Sequence, residues 1–349
     1  MKTAATSMGF LLAGVIAACG GSSSGNDNGG SSGGSSSGGS SGSTSSGGGS
    51  SSSGSNSSSS GSSSGSGSGS SAGADASGSS SGGSSDGGGG TNPTHLPMPS
   101  GTCPTFANGV VTVAAGGGMI QAQTWMGTKG GGPLIIYWHA TSSSATLEVP
   151  LAFDTAAVTA AGGMIVGFES TTRTGTPMNT TGNDVWYQSD VAFADQAVAC
   201  AIQQVHVDPQ HIHAAGYSAG ALQSIYMWFA RSGYVASVIS YSGGDVTIDE
   251  APFQDSGHAG AAIVAHGAPG SDVFSNVDFA MASATWETQI KQAGAMAIDC
   301  DDGQAHVYFT RLSNLAPVSL KFFQDHPFGV KPEPYTSLPS GFPSYCKID

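Results

Sequence analysis

The sequence predicts an α/β architecture, a mostly parallel central sheet with helices on both faces, and three observations carry that expectation. Leu134-Ile135-Ile136-Tyr137-Trp138 and Met164-Ile165-Val166-Gly167-Phe168 are continuous apolar runs of strand length, as in strands buried on both faces. Helix-length segments with one apolar side alternate with further short apolar runs. All of them fall within residues 93–349, a stretch of 257 residues without an internal composition shift, which suits one large domain.

Taken in order, the chain opens on an export leader. Lys2 supplies a positive start, Met8 to Ile16 a short apolar core, and Ala17-Ala18 the small residues before Cys19. That core is too short to stay in a bilayer as a spanning helix. Ile16-Ala17-Ala18-Cys19 resembles the lipobox of bacterial lipoproteins, which implies lipidation at Cys19 and anchoring without spanning; a plain secretory leader cut near the same place is the alternative. Residues 20–92 are almost wholly Gly and Ser, with Asp27, Asp75 and Asp86 as their only charges. Such a stretch has nothing to bury and is expected to be a disordered tether or a neutral spacer, with an end-to-end distance on the order of 50 Å.

Within the folded part, residues 109–113 and 119–125 read as an opening hairpin, followed by the two buried strands already named. Asp190 to Val205 reads as a helix with Val191, Ala194, Ala197, Val198 and Ala201 on one side. His211 to Ala215 is strand-like, and Ala221 to Ala230 is a strong helical run that Gly233 is placed to end. Val235–Tyr241, Ala261–Ala265 and Ala295–Ile298 follow as short strands, with a final helix running to the Phe322-Phe323-Gln324-Asp325-His326 segment.

Charge and cysteine usage narrow the function classes. Without Lys2 and the three aspartates of the Gly/Ser tract, 8 basic and 20 acidic residues remain, a balance of −12. That argues against nucleic acid or an anionic membrane face as a partner. Cys103, Cys200, Cys300 and Cys346 are an even set in an exported domain, which predicts two disulfides with three possible connectivities. Cysteine and histidine spacing offers no tetrahedral zinc motif, so no metal is expected. No phosphate-cradling or dinucleotide glycine pattern follows a strand, so no cofactor is expected either.

The chemistry concentrates in Gly216-Tyr217-Ser218-Ala219-Gly220, a G-x-S-x-G segment between strand and helix. Gly21-Ser22-Ser23-Ser24-Gly25 and Gly34-Ser35-Ser36-Ser37-Gly38 match the bare pattern too, but lie in a tract that forms neither element. The flanking strand and helix mark Ser218 as a nucleophile on a strained turn. A serine needs a base, and the base an orienting acid, in the chain order serine, acid, histidine. Asp272, in the loop after Ala261–Ala265, is the first choice for the acid, with Asp245 after Gly243-Gly244 as its rival. His306 is preferred as the base, since it lies in a polar loop just before the final helix. His326, at that helix's far end, reads instead as a cap on its carbonyls. Backbone N–H groups of Ala219 and of Thr141, in the loop after Leu134–Trp138, are the candidate oxyanion donors. His139 organises that loop. Trp186 and Tyr187, in the loop 170–187, together with Tyr217 and His139, are candidates for contact with substrate; Trp186 as an anchor onto the core is the competing reading.

These residues carry a family resemblance. The run Val207 to Gly220 resembles the nucleophile region of secreted polyhydroxybutyrate depolymerases and feruloyl-esterase-like α/β-hydrolases, and Asp190-Val191-Ala192-Phe193 resembles the start of the helix before it. His139-Ala140-Thr141 stands where that family has His-Gly, and Gly303 to His306 is similar to its catalytic-histidine loop. The likeness covers residues 103–346. Two departures are Ala140, in place of a glycine, and Gln304-Ala305, in place of small glycines. The resemblance implies an α/β-hydrolase fold and a cofactor-free serine esterase acting on a monomeric or polymeric ester. A peptidase on the same fold, or an inactive hydrolase fold used as a surface binding protein, are the other expectations.

Overall fold

The computed structural model describes residues 91–175, 185–246, 251–306, 309–331 and 333–349. The leader, Cys19, the Gly/Ser tract and residues 176–184 of the 170–187 loop lie outside the described residues.

Strands β1 (Gly109–Ala115) and β2 (Gly118–Met126) form the expected antiparallel hairpin. Their buried residues alternate with exposed ones, the signature of a sheet with one wet face. Gly116 and Gly117 make the two-residue turn with φ of 59° and 82°, the left-handed pair that lets a hairpin follow the strand twist. β3 (Leu134–Trp138), β5 (Ile212–Tyr217), β6 (Ser237–Tyr241) and β7 (Ala261–His266) are buried along their whole length, as their apolar runs require. β4 (Met164–Thr174) runs past Phe168 into the segment read from sequence as loop. The sheet order is β1-β2-β4-β3-β5-β6-β7-β10-β11, with β10 spanning Ala297–Asp301 and β11 Cys346–Ile348. Pairing is parallel from β4 through β10 and antiparallel at both edges.

Residue alternation divides the core between the two faces. Ile136, Trp138, Val166, Ala214, Val238 and Val264 pack under α3 (Val191–Gln204), α4 (Ala219–Ala230) and α5 (Phe279–Gln292). Ile135, Tyr137, Ile165, Ala215, Ile239 and Ile263 pack under α1 (Ala145–Ala152), α2 (Thr155–Ala160) and α6 (Thr310–Asp325). A two-strand ribbon, β8 (Val273–Phe274) with β9 (Val277–Asp278), precedes α5. Disulfides join Cys103 to Cys200 and Cys300 to Cys346, choosing one of the three connectivities. Among the described residues, no helix is long and apolar enough to cross a membrane.

Besides shifts of up to two residues at the ends of β5 and β6, three boundaries differ from the sequence reading. The helix expected from Asp190 begins as a 3-10 turn, Gln188–Asp190, because the Asp190 carboxylate turns inward to Arg173 and to the Tyr187 N–H. α4 stops at Ala230, three residues before Gly233, which instead lies against the His95 side chain. β10 starts two residues later than expected and ends on Asp299-Cys300-Asp301, whose acidic residues hide it from an apolar-run search.

Sheet register aligns the functional positions. Trp138 pairs with Gly216, Tyr217 with Tyr241, Tyr241 with Ala265, and His266 with Asp301. The residues that follow these pairs, His139, Ser218, Ser242, Gly267 and Asp302, therefore stand side by side along the carboxyl edge of the sheet, where parallel α/β folds gather their ligands.

Candidate active site

Ser218 occupies the turn between β5 and α4 with φ 54° and ψ −118°, a conformation that L residues rarely adopt. Its N–H donates to Tyr241 O at 2.8 Å, which ties the strained turn to the neighbouring strand. The flanking glycines follow from space. A Cβ on Gly216 would stand 2.3 Å from Gly220 O, and one on Gly220 would stand 1.9 Å from Trp138 O. No side chain fits either place, so the G-x-S-x-G spacing is a steric demand of the turn.

The structure brings Ser218, His306 and Asp272 together. Ser218 Oγ lies 2.8 Å from His306 Nε2, and His306 Nδ1 lies 2.7 Å from Asp272 Oδ1. An ionised carboxylate only accepts, so Nδ1 carries the proton and Nε2 presents its lone pair to the serine hydroxyl. The imidazole is fixed from several sides. Its ring stacks on Phe279 with centroids 4.3 Å apart and on Phe274 at 5.5 Å, and Tyr217 donates its hydroxyl to the His306 carbonyl.

Asp272 is fully buried, yet its second oxygen is saturated. Oδ2 accepts from Gly267 N at 2.8 Å, Ser242 Oγ at 3.0 Å and Arg311 Nη1 at 3.2 Å. Burial alone would raise its pKa, but the His306 hydrogen bond, the Arg311 charge and the Gly267 N–H together hold it below the usual carboxylate range. Arg311, at the start of α6, is itself fully buried and also binds Asp302 through Nε and Nη2 at 2.9 and 2.8 Å. Its guanidinium thus fastens the Asp272 seat to the loop that carries His306. Gln304 belongs to that loop: its carbonyl lies where a Cβ on Gly267 would be, 1.7 Å away. The rival acid, Asp245, accepts from Gln289 Nε2 at 2.7 Å on α5. His326 follows α6, with Nδ1 donating to Phe322 O at 2.7 Å and Nε2 lying 2.9 Å from Glu333 Oε1. That geometry is a helix cap.

The loop after β3 is braced from below. His139 Nδ1 donates to Ala140 O at 2.7 Å, and His139 Nε2 accepts from Ser170 N at 3.0 Å, so both ring nitrogens are engaged. Trp186 Nε1 donates to His139 O at 2.8 Å, with its ring edge-on to Trp138 and His139. Ala140 N donates to the Glu148 carboxylate at 3.1 Å, and Tyr137 Oη donates to the same group at 2.8 Å. Glu148, buried on α1, has its pKa pushed up to about 7, chiefly by burial and against these hydrogen bonds. Thr141 follows on the exposed turn between β3 and α1. The loop crosses the start of α4 closely: a Cβ on Gly220 would stand 2.7 Å from His139 O.

Three expected substrate contacts are corrected here. Trp186 is fully buried, His139 is 1% exposed and Tyr217 is 2% exposed, and all three spend their polar atoms on backbone partners. They shape the site from within. Tyr187 stays partly exposed beneath the Arg173 guanidinium, which lies 4.4 Å from its ring centroid. Two exposed aromatic side chains lie beside the relay, Phe274 with its ring centroid 5.5 Å from that of His306 and Phe309 at 5.6 Å from that of Tyr217. Sequence reasoning missed Arg311, Glu148 and Ser242. Arg311 and Glu148 each had one faint signal, a charged residue inside an otherwise apolar helical stretch.

No protein-family profile matches the chain, and no curated protein does. Solved structures do. The chain superposes on a serine-to-cysteine variant of pOPH in complex with DMSO at a TM-score of 0.59 and 14% identity, over 73% of this chain and 96% of that one. Native pOPH gives 0.58 at 14% identity, over 73% and 97%. Native sOPH gives 0.51 at 18% identity, over 72% and 96%. With these neighbours, the sheet order and the elbow, the chain has the α/β-hydrolase fold.

Proposed function

We propose that the protein is an exported serine esterase that hydrolyses carboxylic esters through an acyl-enzyme. One observation carries the reading: an unbroken hydrogen-bonded relay from Ser218 Oγ through His306 to a buried, ionised Asp272. In this mechanism His306 Nε2 takes the serine proton as Oγ attacks the ester carbonyl. The tetrahedral oxyanion accepts hydrogen bonds from the backbone N–H groups of Ala219 and Thr141. His306 then returns the proton to the departing alcohol, and the same imidazole activates water to release the acid. Asp272 holds the ring in one tautomer and stabilises the imidazolium. The placement of Ala219 at the first residue of α4, and the close approach of the 139–141 loop to that helix, support this oxyanion assignment. The exposed Phe274 and Phe309 beside the relay support a monomeric or polymeric ester with a hydrocarbon-rich chain, and the partly exposed Tyr187 is assigned as a further substrate contact. No cofactor enters the mechanism.

Fluorophosphonate labelling and turnover of p-nitrophenyl esters test it. The native protein labels and turns over, whereas Ser218→Ala folds normally, does not label, and loses about 10⁴-fold or more in rate. Activity retained in that variant refutes the mechanism; an unlabelled native protein would instead fit a binding protein on a hydrolase fold. Export is supported by the leader and by two disulfides that suit an oxidising compartment. Contact with a membrane is assigned to a lipid on Cys19 alone, and no nucleic-acid partner is assigned.

A further inference from the structure

Behind the wall that carries Asp272, three side chains from distant parts of the chain converge: His266 at the end of β7, Glu287 in the middle of α5 and Asp299 on β10. All three are buried, and one ligand-capable atom from each lies within 4.8 Å of the others. No spacing motif could reveal the cluster, because its members are brought together only by the pairing of β7 with β10 and the packing of α5 on them.

The outer atoms of two of these residues are already engaged. His266 Nδ1 donates to Gly267 O at 2.8 Å, which fixes the proton there and turns Nε2 inward. Asp299 Oδ2 accepts from Lys347 Nζ at 3.0 Å, leaving Oδ1 to face His266 Nε2 at 3.1 Å. A ring nitrogen anchored through its other N–H to a backbone carbonyl, beside a carboxylate held by an outer donor, is how proteins orient metal ligands. Glu287 completes the set. It is 7% exposed, and its Oε1 is buried without a hydrogen-bond partner among the described residues. A buried carboxylate oxygen left unsatisfied beside a second carboxylate is costly unless a cation stands between them.

We propose that His266, Glu287 and Asp299 bind one divalent transition-metal ion of the zinc class. One imidazole and two carboxylates make a nitrogen-containing donor set that suits zinc, cobalt or manganese better than calcium or magnesium. The neighbouring Cys300 is closed in its disulfide and is not a ligand. Two ionised carboxylates balance the ion's charge. The ion ties α5 to β7 and β10, and through Gly267, whose N–H donates to Asp272, it stiffens the seat of the triad acid. The proposal departs from the sequence expectation that no metal binds, which considered only local cysteine and histidine spacing.

The test uses the full chain, stripped with a chelator and titrated with Zn²⁺ by calorimetry and with Co²⁺ by absorption. The expected result is one equivalent bound with a Kd on the order of micromolar or tighter, visible Co²⁺ d–d bands, and a higher melting temperature with Zn²⁺. Glu287→Gln and His266→Gln should each weaken Zn²⁺ binding about 100-fold or more, while His206→Gln, at an exposed histidine, leaves it unchanged. Circular dichroism checks the fold of each variant. If His266→Gln does not fold, the Co²⁺ spectra of the native protein and Glu287→Gln decide alone. Absence of saturable one-equivalent binding, or binding that survives Glu287→Gln, overturns the proposal and leaves a His266–Asp299 ion pair beside a protonated Glu287.

Discussion

Arg311 shows how much of the site depends on a residue remote from the nucleophile. Its guanidinium answers two buried carboxylates at once, Asp272 and Asp302, and leaves neither partner in water. Replacing it by Met should destabilise the fold by about 3–5 kcal/mol, measured by urea unfolding, because both carboxylates lose their countercharge. The same change alters the acid side of stability. Asp272 has a folded pKa below its unfolded one, so its contribution is full above the unfolded value of about 4 and is lost as pH falls through the folded value. Without Arg311 that loss should begin at a higher pH, read as an upward shift of the acid-unfolding midpoint; an unchanged midpoint would remove Arg311 from the account. The two histidines separate as sharply. His306→Ala should abolish ester turnover, whereas His326→Ala should keep kcat and lose only cap and Glu333 contacts, about 1–2 kcal/mol. Ser218, Asp272 and His306 were legible in the sequence because each follows the end of a recognisable strand. Arg311 and Glu148 were not, because their partners lie on elements whose packing no local pattern encodes.

Among the elements, α1 and the loop it supports depend on one carboxylate. Glu148 accepts from Ala140 N and Tyr137 Oη, so it sets the height of the turn that leads to Thr141. This also accounts for Ala140: its backbone N–H is held by the bracing carboxylate, and its side chain is accommodated in the buried loop where the resemblance led to the expectation of a glycine. Glu148→Ala should leave two buried donors unpaired and lower kcat about 10- to 100-fold with a smaller change in KM, since oxyanion donors act on the transition state. Glu148→Gln should retain most activity because the amide still offers an acceptor. The two variants differ from the native protein in pH dependence as well. A carboxyl raised from about 4.5 to about 7 on folding stabilises the protein below its unfolded value, and that stability is lost as pH rises through about 7. The loss is at most about 3 kcal/mol, and Glu148→Gln should flatten that part of the stability–pH curve. Elements with long apolar runs were legible: β3 stands at the five residues predicted for it, β7 within one residue of its own and β5 within two. The β8–β9 ribbon and β11 were not, since strands of two or three residues show no periodicity. β10 was misplaced because Asp299, which pairs with His266 and Lys347, and the exposed Asp301, which accepts from Gly303 N, interrupt its apolar run.

On the scale of the whole molecule, two disulfides brace the domain, as suits the exported location proposed for it. Cys103–Cys200 closes 97 residues and fastens the segment before β1 to α3, and Cys300–Cys346 closes 46 and holds edge strand β11 on β10. Loop-closure entropy assigns about 4.7 kcal/mol to the first and about 4 kcal/mol to the second, so reduction should lower the urea midpoint markedly, with Cys103→Ser costing at least as much as Cys346→Ser. In the function proposed above, the N-terminal residues bear on location instead of stability. With the lipid anchor proposed at Cys19, the 73 residues of Gly/Ser composition would let the proposed esterase sample substrate at a distance on the order of 50 Å. Gly20 after the cysteine carries no charge of the kind that resembles an inner-membrane retention signal, which favours an outer-membrane destination where the host has one. Cys19→Ser should abolish incorporation of a labelled fatty acid and move the protein from the detergent phase to the aqueous phase. Limited proteolysis of the native protein should cut within residues 20–92 and release a domain beginning near Thr94 with full ester turnover, because nothing in the relay from Asp272 to Ser218 draws on residues before it. A native protein that partitions into buffer, or a released domain that loses turnover, would refute the tether.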